Sequence, residues 1–491
     1  MLRGGNIKSM TQNRLIKKYS GLSVMAKASL WFMICGILQK SISLLTTPIF
    51  TRLLTTIQYG QFTVFNSWLN LFSIITTFRL DYAVFNKGMS KFPEERDQYT
   101  SSMQGATNAI TLIVFLVYLL FRQEINKVTE LSTFVTCFMF LELFFMPAIR
   151  FWTLRQRYEY KYKAVVVITL LIAFFNAGLG VIAVLIAEEK GLARIFSCII
   201  VETCFGFILY TFNLIKGRQL FNKKYICFAV AFNMPLMVYY FSGYILQQVD
   251  RIMIQKMSGY EAAAIYGIAY NVGLVLSFVI TSINSAFTPW EYEMLKKETY
   301  SNIQKKFHPI TLAVMALFAL FMAFAPEAVL ILAGEKYSEA TYIIPAVTSS
   351  VVFQMLSALY ANIEFYYDKN KYATIISIFE AVLNIILNYF GIMMFGYIAA
   401  GYTTLFCYML DTILHHIYVK KIFIKKYNAT IYSDKKILFY CFFMIFITVL
   451  MSFLYKYPVL RYMTIVSICA VAIAQRKKLA EIANGLLRKE R

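Results

Sequence analysis

The apolar residues of this 491-residue chain fall into unbroken runs that recur almost to its C-terminus. Each run is close to the roughly 20 residues an α-helix needs to cross about 30 Å of hydrocarbon. In lipid every backbone N–H and C=O must be paired within the protein, so a spanning segment is either a helix or a strand of a closed barrel. Leu, Ile, Val and Phe come in continuous runs here rather than in alternation, which excludes the barrel. Charged residues are only 15% and the mean hydropathy is +0.60, whereas soluble domains carry about a quarter charged residues. The expected fold is an all-α integral membrane protein.

Reading for runs of spanning length gives about fourteen transmembrane helices. They cover 25–47, 58–80, 101–121, 130–149, 164–186, 192–215, 227–249, 262–287, 308–333, 340–365, 373–392, 396–418, 437–455 and 459–475. Residues 1–24 form a basic, polar lead-in. The first run is too long for a cleaved signal and lacks a small-residue cleavage site, so it reads as a retained helix. With the N-terminus inside, the inner loops and tails hold about 35 Lys and Arg and the outer loops about 10, the asymmetry of cytoplasmic loops. Both termini are therefore expected in the cytoplasm.

The same asymmetry accounts for the formal charge of +22. No basic module interleaved with aromatic residues is present, so nucleic acid is not an expected partner. Eight cysteines (Cys35, Cys137, Cys198, Cys204, Cys227, Cys407, Cys441 and Cys469) are scattered without CxxC spacing and read as small apolar residues. There is no GxxxxGK[ST] loop for ATP, no HExxH set for a metal and no serine nucleophile motif. His415 and His416, near a helix end, are expected to face lipid headgroups. The loops are too short to fold as a catalytic domain. The chain reads as a conduit rather than an enzyme, with no cofactor expected.

A repeat organises the chain. The stretch PIFTRLLTTIQYG, from Pro48 to Gly60, ends one apolar run with a cation at Arg52 and opens the next. The stretch VDRIMIQKMSGY places Arg251 and Gly259 at the same spacing, 199 residues downstream. Two parallel six-helix lobes follow, related by an axis along the membrane normal. The expected divisions are 1–24, a basic cytoplasmic segment; 25–223, the first lobe; 224–422, the second; and 423–491, two additional helices with a basic tail.

Ionisable groups inside apolar runs face a bundle interior or an aqueous cavity, because hydrocarbon penalises them. Lys40 lies deep in the first run, placed either to meet an anionic substrate or to pair with a buried acid such as Glu142. Lys27, Arg79 and Arg150 lie near helix ends on the cytoplasmic side, as vestibule cations or as snorkelling anchors. Arg52 and Arg251 occupy paired outer ends, where an interfacial anchor is the alternative. Glu142, Glu202, Asp250, Glu380 and Asp411 are the buried acids, each able to exchange a proton or bind sodium, or to neutralise a neighbouring cation; Asp250 can simply balance Arg251. Pro48, Pro147, Pro235, Pro289 and Pro345 fall in or at the ends of runs, where each removes an amide donor and can bend a helix.

The segment TTPIFTRLLTTIQYGQF resembles the end of the first helix in polysaccharide transporters of the Wzx type, within the superfamily of the multidrug and toxin extruders. The block YILQQVDRIMIQKMSGYEAAAIYGIAYNV resembles the start of their second lobe, with Asp250, Arg251, Gly259, Tyr266 and Gly267 in matching places. The resemblance implies a flippase that moves a polyprenyl-pyrophosphate-linked oligosaccharide from the cytoplasmic to the outer leaflet. It implies a cationic central cavity between two lobes, alternating access driven by an ion gradient, and work beside a polysaccharide polymerase and chain-length machinery. Lys40, with Lys27, Arg79 and Arg150, would then meet the diphosphate. A multidrug extruder of the same superfamily, or a membrane glycosyltransferase or polymerase, are the other readings.

Overall fold

The computed structural model describes residues 24–427 and 431–474, which hold seventeen α-helices and no strand. In chain order they are α1 Val24–Leu53, α2 Thr56–Thr77, α3 Ala83–Lys91, α4 Arg96–Leu120, α5 Arg122–Thr129, α6 Thr133–Tyr158, α7 Tyr162–Ile186, α8 Lys190–Gly217 and α9 Lys223–Gly273. They continue with α10 Ser277–Lys296, α11 Tyr300–Ala323, α12 Ala325–Leu332, α13 Ile344–Tyr366, α14 Asn370–Phe395, α15 Ala399–Tyr427, α16 Asp434–Leu454 and α17 Pro458–Ala474. Each apolar run of the sequence overlaps one of these helices.

Nine helical stretches among the described residues are long and apolar enough to cross a membrane, and this does not establish the expected fourteen crossings. One stretch, Lys223–Lys296, is 74 residues of nearly continuous helix where the sequence reads two separate runs. Another reason is α2, whose apolar residues are interrupted by Gln58, Gln61, Asn66 and Asn70. Large apolar side chains stand exposed on separate helices: Leu45 at 71%, Ile186 at 79%, Phe395 at 76% and Phe442 at 76%. In water such surfaces are association or aggregation sites; facing acyl chains they cost nothing. The chain is a multi-pass membrane protein.

Contacts divide it into two compact units, residues up to Leu53 with Phe72–Met237, and Leu54–Leu71 with everything from Val238 onward. The boundaries cut through α2 and α9.

In the first unit α6 and α8 pack along each other, α7 lies against α8 and α1, and α4 packs on α6 and α8. The short helix α3 turns Val84, Phe85 and Met89 inward, and Phe85 meets Tyr99 of α4 and Phe151 of α6. The chain between α2 and α3 makes a left-handed turn, with φ of 48° at Phe78 and 51° at Arg79. Each costs about 1–2 kcal/mol for a residue with a Cβ. The turn is held by Asn233 of α9, whose Nδ2 donates to the carbonyls of Phe78 and Arg79, both at 2.9 Å. Irregular backbone at membrane depth persists where protein groups satisfy it.

In the second unit α13 is the hub, in contact with α10, α11, α15 and α16, while α14 lies on α15. Phe318, Phe353, Leu356, Tyr360, Tyr440 and Met444 are fully buried in its core. The segment Leu54–Leu71 belongs to this unit. Its helix start is a reciprocal cap: Gln58 N donates to Thr55 Oγ1 at 3.2 Å and Thr55 N to Gln58 Oε1 at 3.1 Å, which pairs two backbone donors that the first turn leaves open. The carbonyl of Leu54 accepts from Lys336 Nζ at 2.7 Å.

The paired glycines of the sequence do different work. Gly259 interrupts α9 with φ of 87° and ψ of 174°, a conformation that glycine alone adopts at little cost. Gly60 lies within the helix α2, and its missing side chain makes room for the carbonyl of Tyr260. The break near Gly60 falls at Leu54–Thr55 instead. Pro48, Pro147, Pro235 and Pro289 sit inside helices, whereas Pro345 occupies the first turn of α13, where its lost N–H has no helical partner to lose. His415 is 4% exposed and does not face headgroups, because the buried Glu364 of a neighbouring helix bonds its ring inside the unit, while His416, 6% exposed, bonds the half-exposed Asp434.

Candidate functional site

A cavity of about 330 Å³ opens in the first unit, walled by α1, α6, α7, α8 and the turn before α3. Its floor is set by the face of α6 that carries Arg150, Thr153, Leu154 and Arg157. These positions are i, i+3, i+4 and i+7, which share one side of a helix. Pro147, one turn before Arg150, removes a backbone donor from the same helix.

Three guanidinium groups, those of Arg79, Arg150 and Arg157, line this one cavity together with Asp81 and Glu202. Arg150 donates from a terminal guanidinium nitrogen to Asp81 Oδ2 at 2.9 Å, and the Asp81 side chain is 1% exposed. The Arg79 guanidinium lies 4.6 Å over the ring of Tyr82, and that of Arg157 lies 5.2 Å over the ring of Phe32. Stacking on rings holds a guanidinium without consuming its charge. Hydroxyls of Tyr82, Thr153 and Thr169 and the amide of Gln39 complete the polar lining. Arg is suited to bidentate bonding of phosphate, and a space of this size falls in the range of small-ligand sites.

Of the cations proposed from sequence, the structure brings Arg79 and Arg150 together here. Lys27 is half-buried on α1 and is not among the lining residues. Lys40 falls within α1, and its side chain lies outside the described residues. Arg52 is exposed, and a guanidinium nitrogen donates back to the carbonyl of Pro48 at 2.9 Å. Arg251 lies in the second unit, where it donates to the Gln247 carbonyl at 2.5 Å and covers the Tyr270 ring at 4.2 Å. Arg157 was not among the sequence candidates; its i+7 spacing from Arg150 is the signal that could have found it.

The acids separate in the same way. Glu202 of α8 lines the cavity and accepts from Asn176 Nδ2 at 3.1 Å. Glu142 of α6 is 2% exposed and lies within electrostatic reach of Glu202 and Arg150. In the second unit Asp250 is fully buried and accepts from Tyr266 Oη at 2.6 Å, Asn388 Nδ2 at 2.7 Å and Thr404 Oγ1 at 3.2 Å. Those three neutral donors, rather than Arg251, are its hydrogen-bond partners. Glu380 and Asp411 are buried on α14 and α15. Among the described residues no group of three or more His, Cys, Asp and Glu side chains is placed to hold a metal ion.

The chain is similar to several proteins of known kind. It is 22% identical to Lsg locus putative protein 1 of Haemophilus influenzae over 362 residues, 73% of this chain and 88% of the relative. It is 21% identical to the probable low-salt glycan biosynthesis flippase Agl15 of Haloferax volcanii over 407 residues, 80% of this chain and 83% of that one. Its fold matches the lipid II flippase MurJ in an inward closed conformation with a TM-score of 0.65 at 13% identity, covering 92% of this chain and 100% of that one. An inward-facing multidrug resistance MATE transporter of the MOP superfamily aligns with a TM-score of 0.55 at 12% identity, over 80% and 96% of the two chains. The profile of the polysaccharide biosynthesis proteins matches residues 25–295, more than half of the sequence, and the chain belongs to that family.

Proposed function

We propose that this protein is a flippase that carries polyprenyl-pyrophosphate-linked oligosaccharide units from the cytoplasmic to the outer leaflet of a bacterial plasma membrane, for assembly of a surface polysaccharide. The observation that carries the reading is the cavity of the first unit, which Arg79, Arg150 and Arg157 line together with Asp81 and Glu202. A diphosphate cannot enter hydrocarbon without cationic partners, and the guanidinium groups on this cavity wall supply them. The pocket would take the diphosphate headgroup while the lipid tail stays in the bilayer. The family membership and the flippase-like fold support the same reading.

Several finer points belong to the proposal. Two repeated lobes, 25–223 and 224–422, would rock about the substrate, with 423–491 as an addition and both termini in the cytoplasm. Lys40, beside the cavity-lining Gln39 in sequence, would add a cation to the headgroup site. Lys27 would serve the vestibule, and Arg52 and Arg251 would anchor the two helix ends. An ion gradient, Na+ or H+, would drive the cycle through the buried acids Glu142, Glu202, Asp250, Glu380 and Asp411. A polymerase and chain-length machinery would take the product.

Reconstitution tests this. Proteoliposomes carrying a fluorescent polyprenyl-pyrophosphate oligosaccharide should show protein-dependent transfer between leaflets that is lost in Arg150→Ala. Transport of cationic dyes with no transfer of the sugar lipid would favour the multidrug extruder, and sugar polymerisation would favour an enzyme.

A further inference from the structure

His415 occupies a position that no part of the sugar-lipid reading requires. It projects from α15 with Asp411 one turn before it, and α15 packs on α13, which carries Glu364, and on α14, which carries Glu380. His415 Nδ1 lies 2.7 Å from Glu364 Oε1, and Nε2 lies 3.4 Å from Asp411 Oδ1. The three side chains are 5%, 0% and 9% exposed. Glu380, 5% exposed, is within electrostatic reach of both Asp411 and His415.

Two features make this a binding site rather than a structural pair. A neutral imidazole donates from one nitrogen only, so a ring that meets a carboxylate oxygen at both nitrogens is satisfied when it carries a second proton or when one carboxyl does. In addition, Glu364 Oε2 and Glu380 Oε1 are buried without a hydrogen-bond partner in the structure, and an ionised oxygen in that situation bears the full desolvation cost. Three carboxylates share a single imidazole, and no described Lys or Arg pairs with any of them. Fully ionised, the cluster would hold two uncompensated negative charges away from water.

The surrounding groups do not supply the missing charge. Tyr372 of α14 and Tyr418 of α15 face Glu364, and their rings stack at 3.6 Å. Cys407 and Tyr408 of α15 face Glu380 and Asp411, and both also sense Asp250 of α9. Glu291 of α10 bonds Tyr432 and Asn362 instead. The adjacent His416 belongs to a separate, balanced group: it bonds Tyr360 at 2.9 Å and Asp434 at 2.8 Å, and Asp434 also pairs with Lys420.

We propose that Glu364, Glu380, Asp411 and His415 form an exchangeable proton site. The inference deepens the ion-gradient part of the proposed function, and rests on that reading only for the use made of the proton. Protons taken from water compensate the excess carboxylate charge, and their release to water leaves the cluster electrostatically strained, which is the differential a coupled conformational change needs. A hard metal cation would require a shell of oxygen ligands, and here a ring nitrogen fills the space between two of the carboxylates.

The full-length protein in nanodiscs, without any sugar lipid, is titrated through neutral pH by infrared difference spectroscopy. The expected result is a protonated-carboxyl band that decreases as pH rises and loses intensity, relative to wild type, in Glu380→Gln, Asp411→Asn or Glu364→Gln. The isosteric variants preserve side-chain volume, and size-exclusion profiles establish which of them are folded. Proton uptake on an acid jump, read with a pH dye, should fall by at least one proton per chain in the folded variants. An unchanged titrating band and unchanged uptake in those variants would overturn the proposal, as would a wild-type protein with no titrating carboxyl intensity. Leaflet transfer plays no part in these readouts, so the proton site and the flippase assignment fail independently.

Discussion

Gly60 and Tyr260 meet so closely that a Cβ added to Gly60 would stand 1.9 Å from the Tyr260 carbonyl oxygen. One residue earlier, Gly259 has the left-handed φ of 87°. The helix α2 therefore packs on the backbone of α9 just after the break at Gly259.

Gly60→Ala has no cheap adjustment, because the obstruction is backbone. Overpacking of this kind costs about 1–3 kcal/mol. Gly259→Ala adds no clash but strains the backbone, with a cost of about 1 kcal/mol or more. Gly36 has open space around its Cβ position, and Gly36→Ala should be neutral or slightly stabilising. Thermal unfolding in nanodiscs should rank the three in that order; equal melting points for Gly60→Ala and Gly36→Ala would contradict the contact.

The cavity arginines should differ sharply from the exposed one. Hydrogen bonds to charged groups contribute about 1.5–3 kcal/mol, so Arg79→Ala and Arg157→Ala should each slow leaflet transfer about tenfold or more. Arg52→Ala, which removes a bond to its own helix, should change the rate less than about twofold. Initial rates in proteoliposomes provide the comparison, and a large effect confined to Arg52 would relocate the headgroup site.

Asn233 supports the turn that presents Arg79. Asn233→Asp keeps its shape and removes the amide that donates to the Phe78 and Arg79 carbonyls. Leaving such groups unpaired costs about 1–3 kcal/mol each. A lower unfolding temperature together with reduced transfer is expected; wild-type behaviour in both would mean that the turn holds itself.

Glu95 precedes α4, outside the spanning helices, and accepts from Tyr225 Oη at 2.7 Å and Lys224 Nζ at 3.2 Å. The Tyr225 bond, and then the Lys224 bond, hold its carboxyl below the ordinary value of 4.5. A pKa depressed by folding stabilises the folded state above the unfolded pKa, and that contribution is lost as pH falls through the folded one. Stability curves of wild type and Glu95→Gln should therefore run parallel from neutral pH down to about 4.5. Below that they should converge, as protonation removes the advantage of the native acid. Curves parallel throughout the acid limb would contradict this assignment.

The uncharged runs determine the helices on their own, because a backbone in lipid has no partners except its own. The cap at Thr55–Gln58 is equally local, since both donors and both acceptors lie within one turn. Arg79 and Arg150 could be named from their cost in an apolar run, but not their shared cavity with Arg157 and Asp81, which depends on how α6 lies against the turn before α3. The histidines were misjudged for the same reason: Glu364 and His415 lie on different helices, and nothing near His415 in sequence announces Glu364. Hydropathy fixes which segments enter the membrane. Between helices that are all apolar it supplies little preference for partner or face, so close packing, as of Gly60 on Tyr260, and buried polar bonds, as of Asn233 to the Arg79 carbonyl, decide what meets what.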